Sequence, residues 1–386
     1  MSDACVSRMG HPDSGVTVPS APPIFQTTAF DVPDLDVLQQ IYEGAVVGDI
    51  YTRDSNPNHT ALADSIAQLE QAEAGAVFAS GMGAIGSIFL TLAAAGDHVI
   101  TARSLYGKTV QLASRMQRLG VSISSFDVSQ PEQLRAMIQS NTRFILVETV
   151  SNPLLEVADL PAIIAYSDGV PVVVDSTFST PELIRPCSLG ASIVFHSASK
   201  YLNGHGDVML GVAAGSAEMI RRLRETASVF GQNANPFESW LTQRGLRTLP
   251  LRMKQVCDTT RRLAEFLTGH PGVRRVHYPL LSDHRSRETA CRLYPSGTGG
   301  MISIELAGSG FDVVNRFLKQ LPNIPFSPTL ADARTTVSHP ATTSHRFLTQ
   351  EERSVAGIRD ELVRVSIGLE PFEVLAQEFG SALRAI

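Results

Sequence analysis

The stretch Phe195–Gly206, FHSASKYLNGHG, holds a single lysine among small hydroxyl residues and runs into a glycine-containing turn. It begins at the end of the apolar run Ile193-Val194-Phe195, which predicts a buried strand. Lysine is unusual so close to a core, and loss of water favours its neutral amine, a nucleophile toward carbonyl compounds. The hydroxyls of Ser197 and Ser199 can donate to an anion such as phosphate. Taken alone, these residues more often mark an ordinary solvated lysine after a strand.

Strand patterns alternate with helical patterns on the N-terminal side of this stretch. The strands are short runs rich in Val and Ile, which predict a mostly parallel sheet buried on both faces by helices. Ligands of such sheets bind beyond the carboxyl ends of the strands. Polar residues follow predicted strands at Ser80, Tyr106, Asn152, Asp175 and Lys200. Their common placement predicts one site at one edge of the sheet.

The turn from Ser80 to Ala84 joins the predicted strand Ala76-Val77-Phe78-Ala79 to an apolar helix. The free N–H groups at a helix N-terminus favour an anion. Because many such turns contain two glycines and bind nothing, this pattern is weak by itself.

The pattern divides the chain into three predicted parts. Residues 1–48, rich in Pro, Ser, Asp and Gly, are expected to form an extended N-terminal arm. Residues 49–235 carry the strand–helix alternation of a large domain. Residues 236–386 change to a long amphipathic helix and mixed strands, which predict a smaller C-terminal α+β domain.

The composition argues against several classes of partner and site. The net charge of -6 gives no reason to expect nucleic acid or an anionic membrane. The four cysteines lie far apart without a CxxC pair, which argues against a zinc site or a disulfide scaffold. A signal-peptide pattern and an apolar run of transmembrane length are not visible in the sequence. We therefore expect a cytoplasmic protein without a metal.

The order glycine turn, tyrosine, aspartate and lysine matches the four needs of pyridoxal 5'-phosphate. A lysine can bind the aldehyde of this cofactor, and an aspartate can pair with its protonated ring nitrogen. A glycine turn can bind its phosphate, and an aromatic side chain can stack on its ring. The alternative from another class, a non-catalytic phosphate-binding α/β protein, leaves Asp175 and Lys200 without a purpose.

Seven motifs extend this match over about Pro22 to Leu369. They are YTRDSNP (51–57), ASGMGAI (79–85), ETVSNP (148–153), VVVDSTFSTP (172–181), HSASKYLNGHGD (196–207), HPATTSH (339–345) and LVRVSIGLE (362–370). Together they resemble the fold-type I pyridoxal-phosphate enzymes of cysteine and methionine metabolism, the trans-sulfuration enzymes. This family includes cystathionine γ-synthase, cystathionine lyases, methionine γ-lyase and O-acylhomoserine sulfhydrylases.

The resemblance implies a seven-stranded-type, mostly parallel sheet domain, a smaller C-terminal domain and a set of site residues. The implied catalytic residues are Lys200 as Schiff base and proton shuttle, Asp175 at the ring nitrogen, and Tyr106 on the ring face. The implied cofactor-binding residues are Tyr51, Arg53, Ser80, Gly81, Met82, Tyr106, Asn152, Asp175, Thr177, Ser197, Ser199 and Lys200. The implied substrate-binding residues are Arg364, which grips the α-carboxylate, Thr329 and Arg334.

Two departures from the family pattern bear on the reaction. Lys108 stands where methionine γ-lyases resemble one another in having a cysteine. Arg334 stands where cystathionine-processing members and methionine γ-lyases typically carry a glutamate, and an arginine there would repel a distal ammonium. We therefore predict γ-replacement on an O-acylhomoserine with sulfide or a small thiol. The alternative is a C–S lyase that performs β- or γ-elimination.

The resemblance also implies an assembly. Tyr51 and Arg53 match the pair that reaches the cofactor phosphate of a neighbouring subunit. A homotetramer built as a dimer of dimers, with active sites shared between subunits, is therefore expected.

Overall fold

The computed structural model describes residues 19–386, so the first 18 residues of the predicted N-terminal arm lie outside the described residues. The helices of the described part are α1 (Leu35–Tyr42), α2 (Pro57–Glu70), α3 (Gly81–Leu92), α4 (Gly107–Arg118), α5 (Leu134–Met137), α6 (Leu160–Tyr166), α7 (Thr180–Leu183), α8 (Ala217–Val229), α9 (Pro236–Leu246), α10 (Leu249–Thr268), α11 (Arg287–Leu293), α12 (Gly310–Lys319), α13 (Gln350–Val355) and α14 (Phe372–Arg384). Its strands are β1 (Ala74–Phe78), β2 (His98–Ala102), β3 (Ser122–Phe126), β4 (Thr142–Glu148), β5 (Val172–Asp175), β6 (Ile193–Ser197), β7 (Gly211–Gly215), β8 (Val273–His277), β9 (Met301–Leu306), β10 (Thr336–Ser338) and β11 (Leu362–Ser366).

The large sheet of the described chain has seven strands in the order β1-β7-β6-β5-β4-β2-β3. Strands β2 to β6 pair in parallel with one another, and β7 runs antiparallel to both strands beside it, β1 and β6. Helices α2, α3 and α8 pack against it. The predicted fold class, a mostly parallel sheet with helices and a smaller second unit, is confirmed.

The central strands form because their side chains are apolar on both faces. Val172, Val173 and Val174 of β5 are fully or almost fully buried, as are the residues of β4 and β6 beside them. β-branched runs of this kind suit a parallel sheet that is covered on both sides. The register pairs Glu148 with Asp175 and Asp175 with Phe195. As a result, β4, β5 and β6 end together at one edge of the sheet.

A second, four-stranded antiparallel sheet follows in the order β10-β11-β9-β8. It has a core of its own, to which α10, α12 and α14 contribute. Helix α10 joins the two cores, since Met253 and Val256 belong to the first and Leu263 and Leu267 to the second. The domain boundary after residue 235 stays a prediction. The first hydrophobic core extends past that residue, since it includes side chains of α10.

The described part of the N-terminal arm is tied to α2 and α9 by hydrogen bonds. Trp240 Nε1 donates to the Pro22 carbonyl at 2.7 Å, and Asn58 Nδ2 donates to the Pro23 carbonyl at 2.8 Å. Helix α1 has no buried residue, and its Leu35 and Tyr42 are exposed. The described part of the arm therefore lies along the surface formed by α2 and α9.

Within residues 19–386, the helices are all too short or too polar to span a membrane. The same residues contain no group of three or more His, Cys, Asp or Glu side chains placed to hold a metal ion.

Candidate active site

A cleft of about 1040 Å³ opens at the edge of the sheet where β4, β5 and β6 end, and β11 of the second sheet borders it. It is lined by most of the residues predicted from the sequence, namely Ser80, Gly81, Met82, Tyr106, Asn152, Asp175, Thr177, Ser197, Ser199, Lys200, Thr329 and Arg364. Residues that are far apart in the chain thus meet at one place.

Lys200 lies in the turn that follows β6. Its backbone N–H donates to the Ser197 carbonyl at 3.1 Å, and its Nζ donates to Thr329 Oγ1 at 3.2 Å. Burial, assisted by the positive charge of Arg364 and opposed by Asp332, lowers the pKa of Lys200 to about 8. More of its amine is therefore neutral near pH 7 than in an ordinary lysine.

Arg252, which the sequence analysis did not single out, holds the turn that carries Lys200. It is buried and donates hydrogen bonds of 2.6 to 3.2 Å to the carbonyls of Tyr201, Leu202 and Gly245. A Cβ on Gly204 would lie 2.1 Å from Arg252 Nη1, and the φ of Gly204 is +74°. Only glycine fits there without strain, so the turn is fastened to the α9–α10 junction.

Asp175 and Glu148 form a pair of carboxyl groups on adjacent strands. Asp175 Oδ1 accepts the Thr177 N–H at 2.9 Å, and a Glu148 oxygen accepts the Tyr106 N–H. Burial raises the pKa of both groups, and the charge of Asp175 raises the pKa of Glu148 further, to well above its usual range. Two like charges this close do not both ionise readily, so we infer that Glu148 is the protonated member. A cation beside Asp175 would stabilise its charge.

Sequence reasoning missed Glu148, although it quoted the motif ETVSNP that begins there. The available signal was its position at the end of a strand next to β5, where the register places it beside Asp175.

An anion cradle forms where α3 starts beside β6. Ser80 caps the helix by accepting the Gly83 N–H at 3.0 Å, and the N–H groups of Gly81 and Met82 have no partner among residues 19–386. A Cβ on Gly81 would lie 2.8 Å from Ser197 Cβ. Glycine therefore permits the close approach that directs these N–H groups into the cleft.

The other cradle residues are already held in place. Ser199 Oγ accepts the Leu210 N–H at 2.9 Å, and Thr177 Oγ1 accepts the Ser197 N–H at 2.9 Å. These bonds fix the loop on which the hydroxyls lie.

Arg364 on β11 brings a buried cation to the cleft. Its side chain donates to Asn152 Oδ1 at 3.1 Å and to the Thr329 carbonyl at 3.2 Å. Its Nε is buried and has no hydrogen-bond partner among the described residues. Burial lowers the pKa of Arg364 to about 10, so it stays charged at neutral pH. An unused donor on a buried guanidinium suits a carboxylate ligand.

Tyr106 lies at the N-cap of α4 and is 41% exposed. Burial raises the pKa of its phenol, the charge of Arg364 opposes this, and the charges of Glu148 and Asp175 add to it. The phenol is therefore protonated at neutral pH and acts as a hydrogen-bond donor.

Three predicted residues lie outside this cleft. Arg53 stacks its guanidinium over the Tyr51 ring at 4.9 Å, and both side chains are exposed. Arg334 is also exposed and does not line the cleft. Within one chain, none of the three contacts the site. Conversely, the cleft is lined by several residues that were not predicted as site residues: Lys108, Gln111, Glu148, Phe178, Ser344, Arg346 and Phe347.

Comparison with known proteins agrees with this site. The model of the family described as Cys/Met metabolism PLP-dependent enzyme matches residues 4–384. The chain belongs to this family. Its members depend on pyridoxal phosphate, so the predictions of family, enzyme class and cofactor are confirmed.

The relatives in the family carry different activities. The L-methionine gamma-lyase of Fusobacterium nucleatum subsp. nucleatum is 39% identical over 95% of this chain and 94% of its own. The O-succinylhomoserine sulfhydrylase of Pseudomonas aeruginosa is 38% identical over 89% of this chain and 86% of its own. Among solved structures, this chain is similar to cystathionine gamma synthase from Xanthomonas oryzae pv. oryzae in complex with aminoacrylate and cysteine. The TM-score is 0.92, and the identity is 32% over 99% of this chain and 97% of that chain. The family is therefore a trans-sulfuration family, and the reaction varies within it.

The residues of the cleft fit the cofactor of this family. An amine with a lowered pKa at Lys200 suits an aldehyde, a buried carboxylate at Asp175 suits a protonated ring nitrogen, and the free N–H groups of Gly81 and Met82 suit a phosphate. Each of these features is a property of this chain.

We predict that Gly81→Ala weakens cofactor binding about tenfold or more, because the added methyl would displace the start of α3 from Ser197. The measurement is the dissociation constant of pyridoxal phosphate from the apoprotein. The matched control is Gly86→Ala in the same helix, whose Cβ would meet its nearest neighbour, Gln232, at an ordinary 3.5 Å. If both variants retain the cofactor equally well, the close approach at Gly81 does not shape the cradle.

Proposed function

We propose that this enzyme catalyses γ-replacement on an O-acylhomoserine, with sulfide or a small thiol as the nucleophile. The supporting observation is the charge of the cleft. Among the described residues, its lining carboxyl groups are Glu148 and Asp175, and both lie at the floor formed by the sheet edge. The remaining charged groups are cations, including Lys108 and Arg346. A distal ammonium, as in cystathionine, finds no free carboxylate among the described residues that line the cleft, whereas a neutral or anionic acyl group is favoured there.

The charge of the cleft, and not Arg334, supports γ-replacement in the structure of one chain. The exposed position of Arg334 outside the cleft gives it no contact with a substrate in its own chain. A role for Arg334 would need a neighbouring subunit.

In the proposed reaction the bond from the substrate γ-carbon to the acyl oxygen breaks, a bond from the γ-carbon to sulfur forms, and a carboxylate leaves. The cofactor, when bound, supplies an electron-withdrawing ring at the α-carbon. Arg364 would bind the α-carboxylate through two N–H groups. Lys200 would move protons at the substrate carbons, since its pKa of about 8 permits both protonation states near neutrality. Tyr106, a protonated phenol, would donate a hydrogen bond near the leaving group.

The alternative is elimination by a C–S lyase. It is supported by the relatives named L-methionine gamma-lyase, which are as similar to this chain as the sulfhydrylase is. Lys108 counts against methionine as substrate, because its charged side chain lines the cleft and is an unfavourable neighbour for an apolar methyl thioether.

A panel of substrates tests the proposal. O-acetylhomoserine, O-succinylhomoserine, cystathionine, cysteine and methionine are each supplied with and without sulfide, and both the new amino acid and any ketoacid are measured. We expect homocysteine from an O-acylhomoserine with sulfide, at a kcat/KM at least about tenfold above that of any elimination. Faster ketoacid release from methionine or cystathionine would establish the lyase alternative instead.

We further propose that the enzyme is a homotetramer built from dimers that share active sites. Arg53 and Tyr51 are exposed, stack on each other and have no contact with the cleft of their own chain. The exposed apolar side chains Leu35, Tyr42 and Val47 on and after α1 supply a surface for a second copy. The cytoplasmic location stays a prediction.

Mixed dimers test the shared site. Chains with Arg53→Ala and chains with Lys200→Ala are each expected to lose most activity, and mixing them should restore part of it. A mixed dimer has one site with both defects and one with neither, so up to about half of the sites of that dimer regain activity. The measurement is turnover after subunit exchange, with dimer composition checked by native mass spectrometry. Mixed dimers without activity would place Arg53 in the site of its own chain.

A further inference from the structure

We infer that Lys108 and Arg346 form a subsite for a second carboxylate of the reacting molecules, apart from the α-carboxylate. We call these two residues the distal cation pair. The inference rests on the proposed function, since it names the chemistry of the group that leaves or enters at the γ-carbon.

The first observation is a contact between the two segments that carry these cations. Lys108 lies in the first turn of α4, directly after Gly107. A Cβ on Gly107 would lie 2.5 Å from the Ser344 carbonyl oxygen and 2.5 Å from Phe347 Cε1. The start of α4 therefore touches the segment 344–347, which includes Arg346. Both cations adjoin this contact, and both line the cleft.

The second observation is that neither cation is neutralised by a partner in the described chain. Lys108 Nζ donates to Gln111 Oε1 at 3.1 Å, which is a neutral acceptor. Arg346 has no ion pair within residues 19–386, although many exposed arginines there, such as Arg261 and Arg285, do. The whole chain carries a net charge of -6. A local excess of positive charge at a cleft of an acidic protein concentrates anions there.

The third observation is that the other charged groups of the cleft already have uses. Arg364 has the buried free Nε that suits the α-carboxylate, and Lys200 and Asp175 suit the cofactor. Glu148 is held by the Tyr106 N–H. The distal cation pair has none of these roles and is available to bind another group. The N-terminus of α4, a helix of 12 residues, adds further preference for an anion at Lys108.

The reaction supplies two sources of such a carboxylate. In γ-replacement the leaving acyl group and the entering thiol occupy the same region, because both bind to the γ-carbon. The carboxylate belongs either to a dicarboxylic acyl group, such as succinyl, or to a thiol that carries an acid group. The shared chemistry is a carboxylate several bonds beyond the γ-carbon.

A binding test decides the subsite without any turnover. The probes are L-2-aminosuberate and L-2-aminooctanoate, which have the same chain length and differ in the distal carboxylate. Their binding to the holoenzyme is followed by the absorption spectrum of the bound cofactor. We expect about tenfold tighter binding of the diacid, as for hydrogen bonds to a charged group. The preference should fall as salt rises, because exposed charges are screened.

Variants show which residues cause the tighter binding of the diacid probe. Lys108→Gln and Arg346→Gln should each reduce it, and the double variant should bring the ratio of the two dissociation constants close to one. Lys319→Gln is the matched control, an exposed lysine on α12 outside the cleft, and it should leave the ratio unchanged. Cofactor content is measured in every variant, because loss of cofactor would mean that the pair binds the phosphate, which overturns the inference.

Activity measurements then separate the two sources. With sulfide, the ratio of kcat/KM for O-succinylhomoserine to that for O-acetylhomoserine falls in the double variant if the acyl group carries the carboxylate. With O-acetylhomoserine, the ratio for 3-mercaptopropionate to 3-mercaptopropanol falls if the thiol carries it. If no replacement product forms in any arm, the proposed function fails, and the binding test still decides the subsite. Equal binding of the two probes by the unaltered enzyme, or an equal loss in Lys319→Gln, would overturn the inference.

Discussion

The register of β5 against its two neighbours is the constraint on which the cleft depends. Pairing Glu148 with Asp175 and Asp175 with Phe195 ends three strands at one edge of the sheet. The buried valines of β5 run up to Asp175, so a shift that drew the strand further into the sheet would carry this carboxylate into the apolar core, which opposes the shift. The turn with Lys200 and the start of α3 then reach the same space from neighbouring positions.

The electrostatics of the cleft follow from this geometry. Strand ends bring the two carboxyl groups Asp175 and Glu148 into a buried place, and the second sheet brings the buried guanidinium of Arg364 to the same cleft. Burial and that guanidinium keep Lys200 partly neutral. Each group is shifted away from its behaviour in water, and the shifts suit an aldehyde, a ring cation and a carboxylate. A reactive site results from ordinary packing of the two sheets and their helices.

Much of this arrangement could be predicted from the sequence, for physical reasons. Parallel strands with apolar runs bring their ends together, so Asp175 and Lys200 were predictable as neighbours. Contacts between distant segments were not. Arg252 holds the turn of Lys200 from a helix about fifty residues away, and the distal cation pair depends on the fit of Gly107 against the segment 344–347. A motif gives the position of Arg334 in the chain but not the direction of its side chain. The roles of Tyr51 and Arg53 depend on a second chain.

The most direct measurement is the location of the covalently held cofactor. The apoprotein is loaded with pyridoxal phosphate, reduced with borohydride and digested, and the pyridoxyl group is found by mass spectrometry. The sequence offers four lysines, Lys108, Lys200, Lys254 and Lys319, and Lys108 lines the same cleft as Lys200. We predict the pyridoxyl group on Lys200 alone, and no fixed colour in Lys200→Ala. A pyridoxyl group on another lysine of the unaltered protein, or undiminished fixation in the variant, would contradict the account.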